Sequence, residues 1–176
     1  MVSLNILDDI GFNNISLLKT EEIPFDFSFR KYCEENFCGS YGRNYACPPD
    51  CGTPEEMKHK LTVFPYAIVF QTICEIKDFN DNNEIKSAKS HHKKLMKEAI
   101  KRLQEEGHKG IAAMAGCCTT CETCGKIKGF PCPSPEEAYS CMSAYCINVE
   151  QLSAKLGFEY WFEGQKAGFF GIYAFE

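Results

Sequence analysis

The chain has 176 residues, of which 44% are hydrophobic and 13% aromatic, and its formal net charge at pH 7 is −5. This length and composition predict a globular protein with one cysteine-rich domain over residues 1–176. The negative charge argues against nucleic acid as a partner, because phosphate binding requires a basic surface. No signal peptide or membrane-spanning stretch is recognisable, so we expect a cytoplasmic protein with no membrane contact.

Cysteine is unusually frequent, with twelve copies in the chain. In a protein without a secretory signal, this density predicts metal binding or redox chemistry rather than a disulfide framework. Four of the cysteines lie in residues 33–51 and five in residues 116–133. We therefore expect two metal-binding loops.

The first predicted element is a strand that follows a lead-in over residues 1–24. Phe25, Phe27 and Phe29 alternate with polar residues, which is the pattern of a half-buried strand. This strand would deliver the chain directly to Cys33.

The first cysteine loop, residues 33–51, has gaps of four, eight and three residues between its cysteines. Its first pair and its last pair fit the two knuckles of a zinc ribbon, and the loop fits an iron–sulfur cluster equally well. As in two-cluster ferredoxins, Cys132 of the second loop could complete this site, which would leave Cys51 spare. The candidate metal ligands are Cys33, Cys38, Cys47 and Cys51.

A short helix and a buried strand are predicted next. Thr53 caps the helix, Pro54 occupies its first position, and Glu56 completes a capping box. Residues 63–73 are apolar and rich in β-branched side chains, which predicts a buried strand. Cys74 ends this strand, and we expect it to be a small buried apolar residue.

A long amphipathic helix is predicted over residues 84–106, ending at Gly107, and a short strand over residues 111–115. The strand, helix and strand form a βαβ unit whose carboxyl end leads into the second cysteine loop, where open α/β sheets usually place their sites. The lysines of the helix are expected to be solvated, together with His91 and His92. The less favoured alternative is that this face docks an acidic redox partner.

The second cysteine loop, residues 116–133, carries the strongest signal in the sequence. From Cys118 it has the pattern C-x2-C-x2-C-x7-C-P, in which three thiols share a tight turn and the fourth precedes Pro133. A [4Fe–4S] cluster needs four thiolates around one core, and this spacing supplies them. Zinc fits less naturally, because its sites usually pair cysteines in two separate knuckles. The predicted cofactor ligands are Cys118, Cys121, Cys124 and Cys132.

After the loop, Ser134 and Pro135 are expected to begin a helix with residues 138–145 as its body. This helix would carry Cys141 and Cys146 about a turn and a half apart. The two thiols would then either pack in the core or add a thiol pair to the metal site. Cys117 is expected either to face away from the cluster or to replace Cys118 as a ligand.

The remaining segments predict a helix over residues 149–156, stopped by Gly157, and a terminal β-hairpin. The hairpin strands are residues 158–162 and 169–175, which are dominated by aromatic side chains. The elements together predict an α/β or α+β fold in which flanking helices cover a mixed sheet that also carries the two cysteine-rich loops.

Both loops together resemble one family. The pattern C-x4-C-x2-Y-G-x-N-x2-C-P-P and the second loop, followed by Ile147-Asn148-Val149, are similar to the uncharacterised cysteine-rich family of predicted metal-binding proteins common in anaerobic bacteria and archaea. The resemblance covers residues 25–175 and implies metal binding in the cytoplasm. The positions that match its loops are Cys33, Cys38, Cys47, Cys118, Cys121, Cys124 and Cys132. The chain departs from the family pattern at Cys117, Cys141, Cys146 and Ser143, the last standing where an acidic residue is usual.

Three functions remain open at this point. The favoured one is a cytoplasmic protein with one or two [4Fe–4S] clusters that transfers electrons or supports a redox enzyme through a partner protein. The first alternative is a zinc-stabilised binding module without redox chemistry. The second is an enzyme that uses an open cluster site or a reactive thiol, with Cys117, Cys141 and Cys146 as candidates.

Overall fold

A computed structural model describes residues 3–176, so Met1 and Val2 of the predicted lead-in lie outside the described residues. Within this range the chain forms four α-helices and one five-stranded sheet. The helices are α1 (Arg30–Glu34), α2 (Pro54–Thr62), α3 (Asn82–Glu105) and α4 (Val149–Leu156). The strands are β1 (Asn14–Lys19), β2 (Tyr66–Glu75), β3 (Gly110–Met114), β4 (Ser140–Cys141) and β5 (Lys166–Phe175).

The sheet is mixed, with the strand order β1-β2-β5-β3-β4. Its pairs are antiparallel except for β3 and β4, which are parallel. Because β5 is antiparallel to both β2 and β3, those two strands run in the same direction and α3 connects them. The predicted fold class and βαβ unit are confirmed, with β5 inserted between the two parallel strands.

Helices cover both faces of the sheet. On one face, Ile68 and Phe70 of β2 pack in a cluster with Met96 and Leu103 of α3. On the other face, the alternate β2 residues Ala67 and Val69 pack in a cluster with residues of α2 and α4. Burial on both faces explains why β2 is apolar along its length instead of alternating with polar residues.

The long helix α3 lies within two residues of its predicted bounds, but the expectation for His92 was wrong. This side chain is fully buried, and its Nδ1 lies 2.8 Å from Oγ1 of Thr72 in β2. His92 shares a helix face with Ala88 and Met96, four residues away on either side, and that face packs on the sheet. The neighbouring His91 is exposed, as predicted.

The capping box of α2 is confirmed. Oγ1 of Thr53 accepts a hydrogen bond from the Glu56 N–H at 3.2 Å, and Oε2 of Glu56 accepts one from the Thr53 N–H at 2.8 Å. The helix begins directly after the first cysteine loop, so this cap holds the carboxyl end of that loop in place.

We expect Thr53→Ala to destabilise the reduced, metal-free protein by about 1 kcal/mol, because a helix N–H would lose its acceptor. For a chain of this size the midpoint of thermal unfolding should fall by roughly 2–4 °C. Circular dichroism would measure it. Thr62→Ala, at the exposed end of the same helix, is the control and should shift the midpoint by less. Equal midpoints for wild type and Thr53→Ala would contradict the prediction.

The strand predicted over Phe25–Phe29 is wrong. The carboxylate of Asp26 accepts hydrogen bonds from the N–H and hydroxyl of Ser28, at 3.0 and 2.6 Å, and caps a 3-10 turn over Phe27–Phe29 that runs into α1. Only Phe25 makes an isolated bridge, to Ile147. The alternation of aromatic and polar residues was outweighed by this local cap.

The helix predicted over residues 138–145 and the terminal hairpin are also wrong. A 3-10 turn over Pro135–Glu137 leads into the short strand β4, and Cys146 has a φ of 55°, which a continuing helix cannot adopt. Cys141 and Cys146 are therefore not helical neighbours. Residues 158–162 form no strand, and β5 pairs with β2 and β3 in the middle of the sheet. Aromatic residues indicated a strand correctly but carried no information on its partner.

No helix within residues 3–176 is both long enough and apolar enough to cross a membrane.

Candidate metal centre

The second cysteine loop follows β3 and folds back on itself between Cys124 and Cys132. A 3-10 turn over Gly125–Lys128 ends at Gly129, which has a left-handed φ of 73°. The N–H of Phe130 then donates to the carbonyl of Gly125 at 2.9 Å. The seven-residue gap is therefore a compact turn that brings Cys132 back to Cys124.

Gly125 is required at the crossing point of this turn. A Cβ atom at this position would lie 2.9 Å from each of the carbonyl oxygens of Phe130 and Pro131. Contacts below 3.0 Å with backbone atoms cannot be relieved by rotating a side chain. The absence of a side chain thus permits the two arms of the loop to meet.

The four predicted cofactor ligands of this loop line a single small cavity of about 20 Å³. Asn44 and Tyr45 of the first loop and Pro133 and Ala138 also contribute to its wall. The cavity is about the size of one water molecule, so the loop is drawn in around the four sulfur atoms. These are Cys118, Cys121, Cys124 and Cys132.

The two cysteine loops pack against each other. Nδ2 of Asn44 donates to the carbonyl of Cys118 at 3.0 Å, and the Tyr45 hydroxyl donates to the carbonyl of Phe130 at 2.9 Å. The Lys126 ammonium pairs with the Asp50 carboxylate. The loops are therefore parts of one assembly, although they are 74 residues apart at the Asn44–Cys118 contact.

We expect Asn44→Ala to speed metal loss from the second loop by roughly tenfold, the lower end of the effect seen when groups that orient metal ligands are removed. Asn44 both accepts from the Ala46 N–H at 3.0 Å and donates to the Cys118 carbonyl, so alanine removes both bonds. The rate of iron release to a chelator would measure it. Asn13→Ala, remote from both loops, is the control. Unchanged release from Asn44→Ala would contradict the prediction.

A second and larger cavity, of about 500 Å³, lies beside the first. Five thiols line it, from three separate stretches of the chain, together with aromatic side chains that include Tyr32, Phe37 and Tyr160. Tyr32 and Phe37 are exposed. The five thiols belong to Cys33, Cys38, Cys47, Cys117 and Cys141.

Burial disfavours the thiolate form of three of these thiols, Cys33, Cys47 and Cys141. Burial raises the pKa of the Cys33 thiol to about 11, and its neighbour Cys141 adds to the effect. Burial also raises the pKa of Cys47 and of Cys141, although the Ala144 and Ser143 N–H groups oppose it at Cys141. Because the thiolate is the reactive form, the raised pKa of Cys141 disfavours this residue as the nucleophile of a thiol-based transferase.

The remaining cysteines lie outside both cavities. Cys51 is buried in the core with Met57 and Leu61 and does not line the larger cavity with the other thiols of its loop. Cys74 is partly buried against the core, and Cys146 is fully buried beside Arg30. The role of Cys51 as a ligand stays a prediction.

A basic pocket of about 190 Å³ adjoins the second loop. The Lys93 ammonium donates to the carbonyl of Cys117 and lies 3.3 Å from Oγ1 of Thr119, and burial lowers its pKa. Lys97 forms a 3.1 Å ion pair with Glu137. Lys94, Cys118 and Tyr139 complete the wall. Part of the lysine face of α3 therefore lies against the cysteines instead of being only solvated.

Residues 16–175 match the model of a family described as predicted metal-binding protein (DUF2284). The chain belongs to this family. The resemblance noted from the two loops is confirmed, and the match extends beyond them over most of the fold. No curated protein and no solved structure matches the chain. The family description names neither a metal nor a reaction.

Among residues 3–176 no three His, Cys, Asp or Glu side chains lie close enough together to hold a single metal ion.

Cys141 is the site residue that the sequence failed to place. Its position depends on the pairing of β4 with β3, in which Cys141 lies opposite Met114 and the Met142 N–H donates to the Met114 carbonyl at 3.0 Å. No local pattern reveals a two-residue strand. The place of Cys117 was weakly indicated by its position next to Cys118. Side chains of consecutive residues in an extended chain point in opposite directions, so the two thiols are expected on opposite sides of the loop.

Proposed function

We propose that the protein is a cytoplasmic metal-binding protein that carries a [4Fe–4S] cluster on its second loop and serves electron transfer or a redox enzyme. The observation that supports this most directly is the convergence of four thiols of one loop on one cavity. The proposed ligands are Cys118, Cys121, Cys124 and Cys132.

The donor set fits such a cluster. Thiolates are soft ligands, which suit iron–sulfur clusters and zinc. A cubane takes one thiolate at each of four iron atoms, so its ligands surround a core and need not share one metal ion. Three thiols on one C-x2-C-x2-C turn match this requirement better than they match zinc, whose sites usually pair cysteines in two separate knuckles. The small volume of the cavity requires the loop to open when a cluster enters.

A bound cluster of this type supplies one-electron chemistry. The residues of the chain position it and control access to it. The turn at Gly125 holds the fourth thiol against the other three, and Asn44 and Tyr45 fasten the first loop over the second. The Lys93 ammonium places positive charge beside Cys117 and Cys118.

The basic pocket supports a partner with an acidic surface. Lys93, Lys94 and Lys97 of α3 line this pocket together with Cys118. Lysines grouped around a redox centre steer an acidic protein toward it and shorten the path for the electron. We propose that a redox partner protein docks here.

Anaerobic purification followed by iron and sulfide analysis tests the proposal. Wild type should contain about four iron and four sulfide ions per chain that are absent from the Cys121→Ser/Cys124→Ser double variant. It should also show a brown colour and, after reduction with dithionite, a paramagnetic resonance signal. Cys74→Ser is the matched control, because Cys74 borders neither cavity, and it should retain all of the iron.

A colourless anaerobic preparation with stoichiometric zinc would contradict the proposal. In that case chelation should unfold the domain, as expected of a zinc-stabilised module.

A further inference from the structure

The larger cavity joins the three cysteines of the first-loop motif to two thiols, Cys117 and Cys141, that no sequence motif links to them. Cys33 comes from α1, Cys38 and Cys47 from the first loop, Cys117 from the segment after β3, and Cys141 from β4. Two of these positions, Cys117 and Cys141, depart from the family pattern. The group is therefore a property of this chain and of its tertiary structure.

We propose that Cys33, Cys38, Cys47 and Cys141 hold a second iron–sulfur cluster, with Cys141 and not Cys51 as the fourth ligand. This centre is separate from the one on the second loop, and either could exist without the other.

Cys141 is presented to the cavity by fixed backbone. The parallel pairing of β4 with β3 sets its position, and the Ala144 N–H donates to its sulfur at 3.3 Å. Backbone N–H groups aimed at cysteine sulfur stabilise the negative charge of a cluster and tune its potential. Cys141 also lies within electrostatic range of Cys33 and Cys47.

Cys51 lies within electrostatic range of Cys47 and Cys141 as well, but its side chain is placed in the core and not in the cavity wall. It is only 7% exposed, belongs to the core cluster of Met57 and Leu61, and does not line the cavity. Its sulfur faces the carbonyl of Gly52 at 3.9 Å, which is an acceptor and offers no stabilisation to a thiolate. Chain spacing favoured Cys51 because it ends the same loop, whereas the fold directs it into the core.

The number of thiols and the size of the cavity fit a cluster. Five cysteines line the cavity, and a [4Fe–4S] core takes four. A cavity of about 500 Å³ leaves space for a core of several atoms between the four sulfurs. Thiolates that bind different iron atoms of one core meet the observed arrangement.

Cys117 lies between the two centres. It lines the larger cavity, whereas its neighbour Cys118 lines the smaller one. Consecutive Cα atoms are only about 3.8 Å apart, so a single peptide unit separates the two thiol groups along the chain. Two clusters at these positions would interact magnetically when both are reduced.

Counting iron in three variants after anaerobic purification tests the assignment. Wild type should hold about eight iron atoms per chain, and Cys141→Ser about half as many. Cys51→Ser is the matched control and should keep the wild-type content. Cys38→Ser changes an exposed residue, so it should halve the iron content without disturbing the fold. This variant keeps the test decisive if Cys141→Ser does not fold.

Electron paramagnetic resonance gives a second readout. Reduced wild type should show a broadened signal from two interacting clusters, and Cys141→Ser the simple signal of one isolated cluster. Loss of iron from Cys51→Ser but not from Cys141→Ser would overturn the assignment, as would zinc in place of the second cluster.

The two proposals fail in different ways. If wild type holds only about four iron atoms, and Cys121→Ser/Cys124→Ser removes all of them, the second cluster is refuted and the first stands. If wild type again holds about four iron atoms, but Cys141→Ser removes all of them and Cys121→Ser/Cys124→Ser removes none, the first cluster is refuted and the second stands.

Discussion

Replacing Gly125 with valine is expected to abolish iron binding by the second loop while leaving the rest of the protein folded. The new Cβ atom would be 2.9 Å from the carbonyl oxygens of Phe130 and Pro131, so the arm that carries Cys132 must move away from Cys124. A cluster that loses the placement of one of its four thiolates is no longer held stably. The variant should lack about four iron atoms per chain under anaerobic conditions.

Gly129→Asn is the matched control, four residues further along the same turn. Gly129 has a φ of 73°, which asparagine tolerates better than most residues, and a Cβ atom there meets nothing within 4 Å. This variant should keep most of its iron. Circular dichroism should give similar spectra for both variants in the metal-free state. Full iron content in Gly125→Val would refute the role given to this turn.

The second large effect concerns pH. His92 is fully buried between α3 and the sheet, and burial lowers its pKa from 6.5 to about 4. Between pH 6.5 and 4 the unfolded chain therefore binds a proton that the folded protein excludes. The free energy of unfolding is unaffected by this group above pH 6.5 and falls as the pH decreases from 6.5 to 4. The shift corresponds to about 3 kcal/mol when complete.

Urea unfolding of the reduced, metal-free protein at pH 7 and pH 4.5 would measure this loss. His92→Gln should remove most of this part of the pH dependence, although it lowers stability at both pH values because the packing against Thr72 and Phe12 is disturbed. His91→Gln is the control, because His91 is exposed on the same helix. It should behave like wild type. The same pH dependence in all three proteins would contradict the prediction.

Elements with a local signature were predicted well. The bounds of α4 and the capping box of α2 agree with the structure, and α3, β2 and β3 differ from their predicted bounds by a few residues. Periodicity, caps and stop signals depend on residues within one or two turns of each other. The same local reasoning failed where two signals competed, as at Asp26, whose side chain caps a turn in the middle of an apparent strand pattern.

Strand partners were predicted poorly, for a different reason. The aromatic run that forms β5 was recognised as a strand, but the hairpin assigned to it does not exist. Pairing is decided by which strands can bury their faces together, and several partners satisfy the same sequence pattern. The two residues of β4 carry no pattern of their own and pair only because β3 offers a free edge.

The candidate metal site shows the same difference between local sequence patterns and contacts made only in the folded protein. Residue spacing within one loop was enough to propose Cys118, Cys121, Cys124 and Cys132 as a group, because a short loop restricts how far apart its thiols can lie. Residue spacing could not show which cysteines line the larger cavity. Cys141 joins Cys33 and Cys47 only through the pairing of β4 with β3 and the packing of one loop on the other, contacts made between residues far apart in the chain.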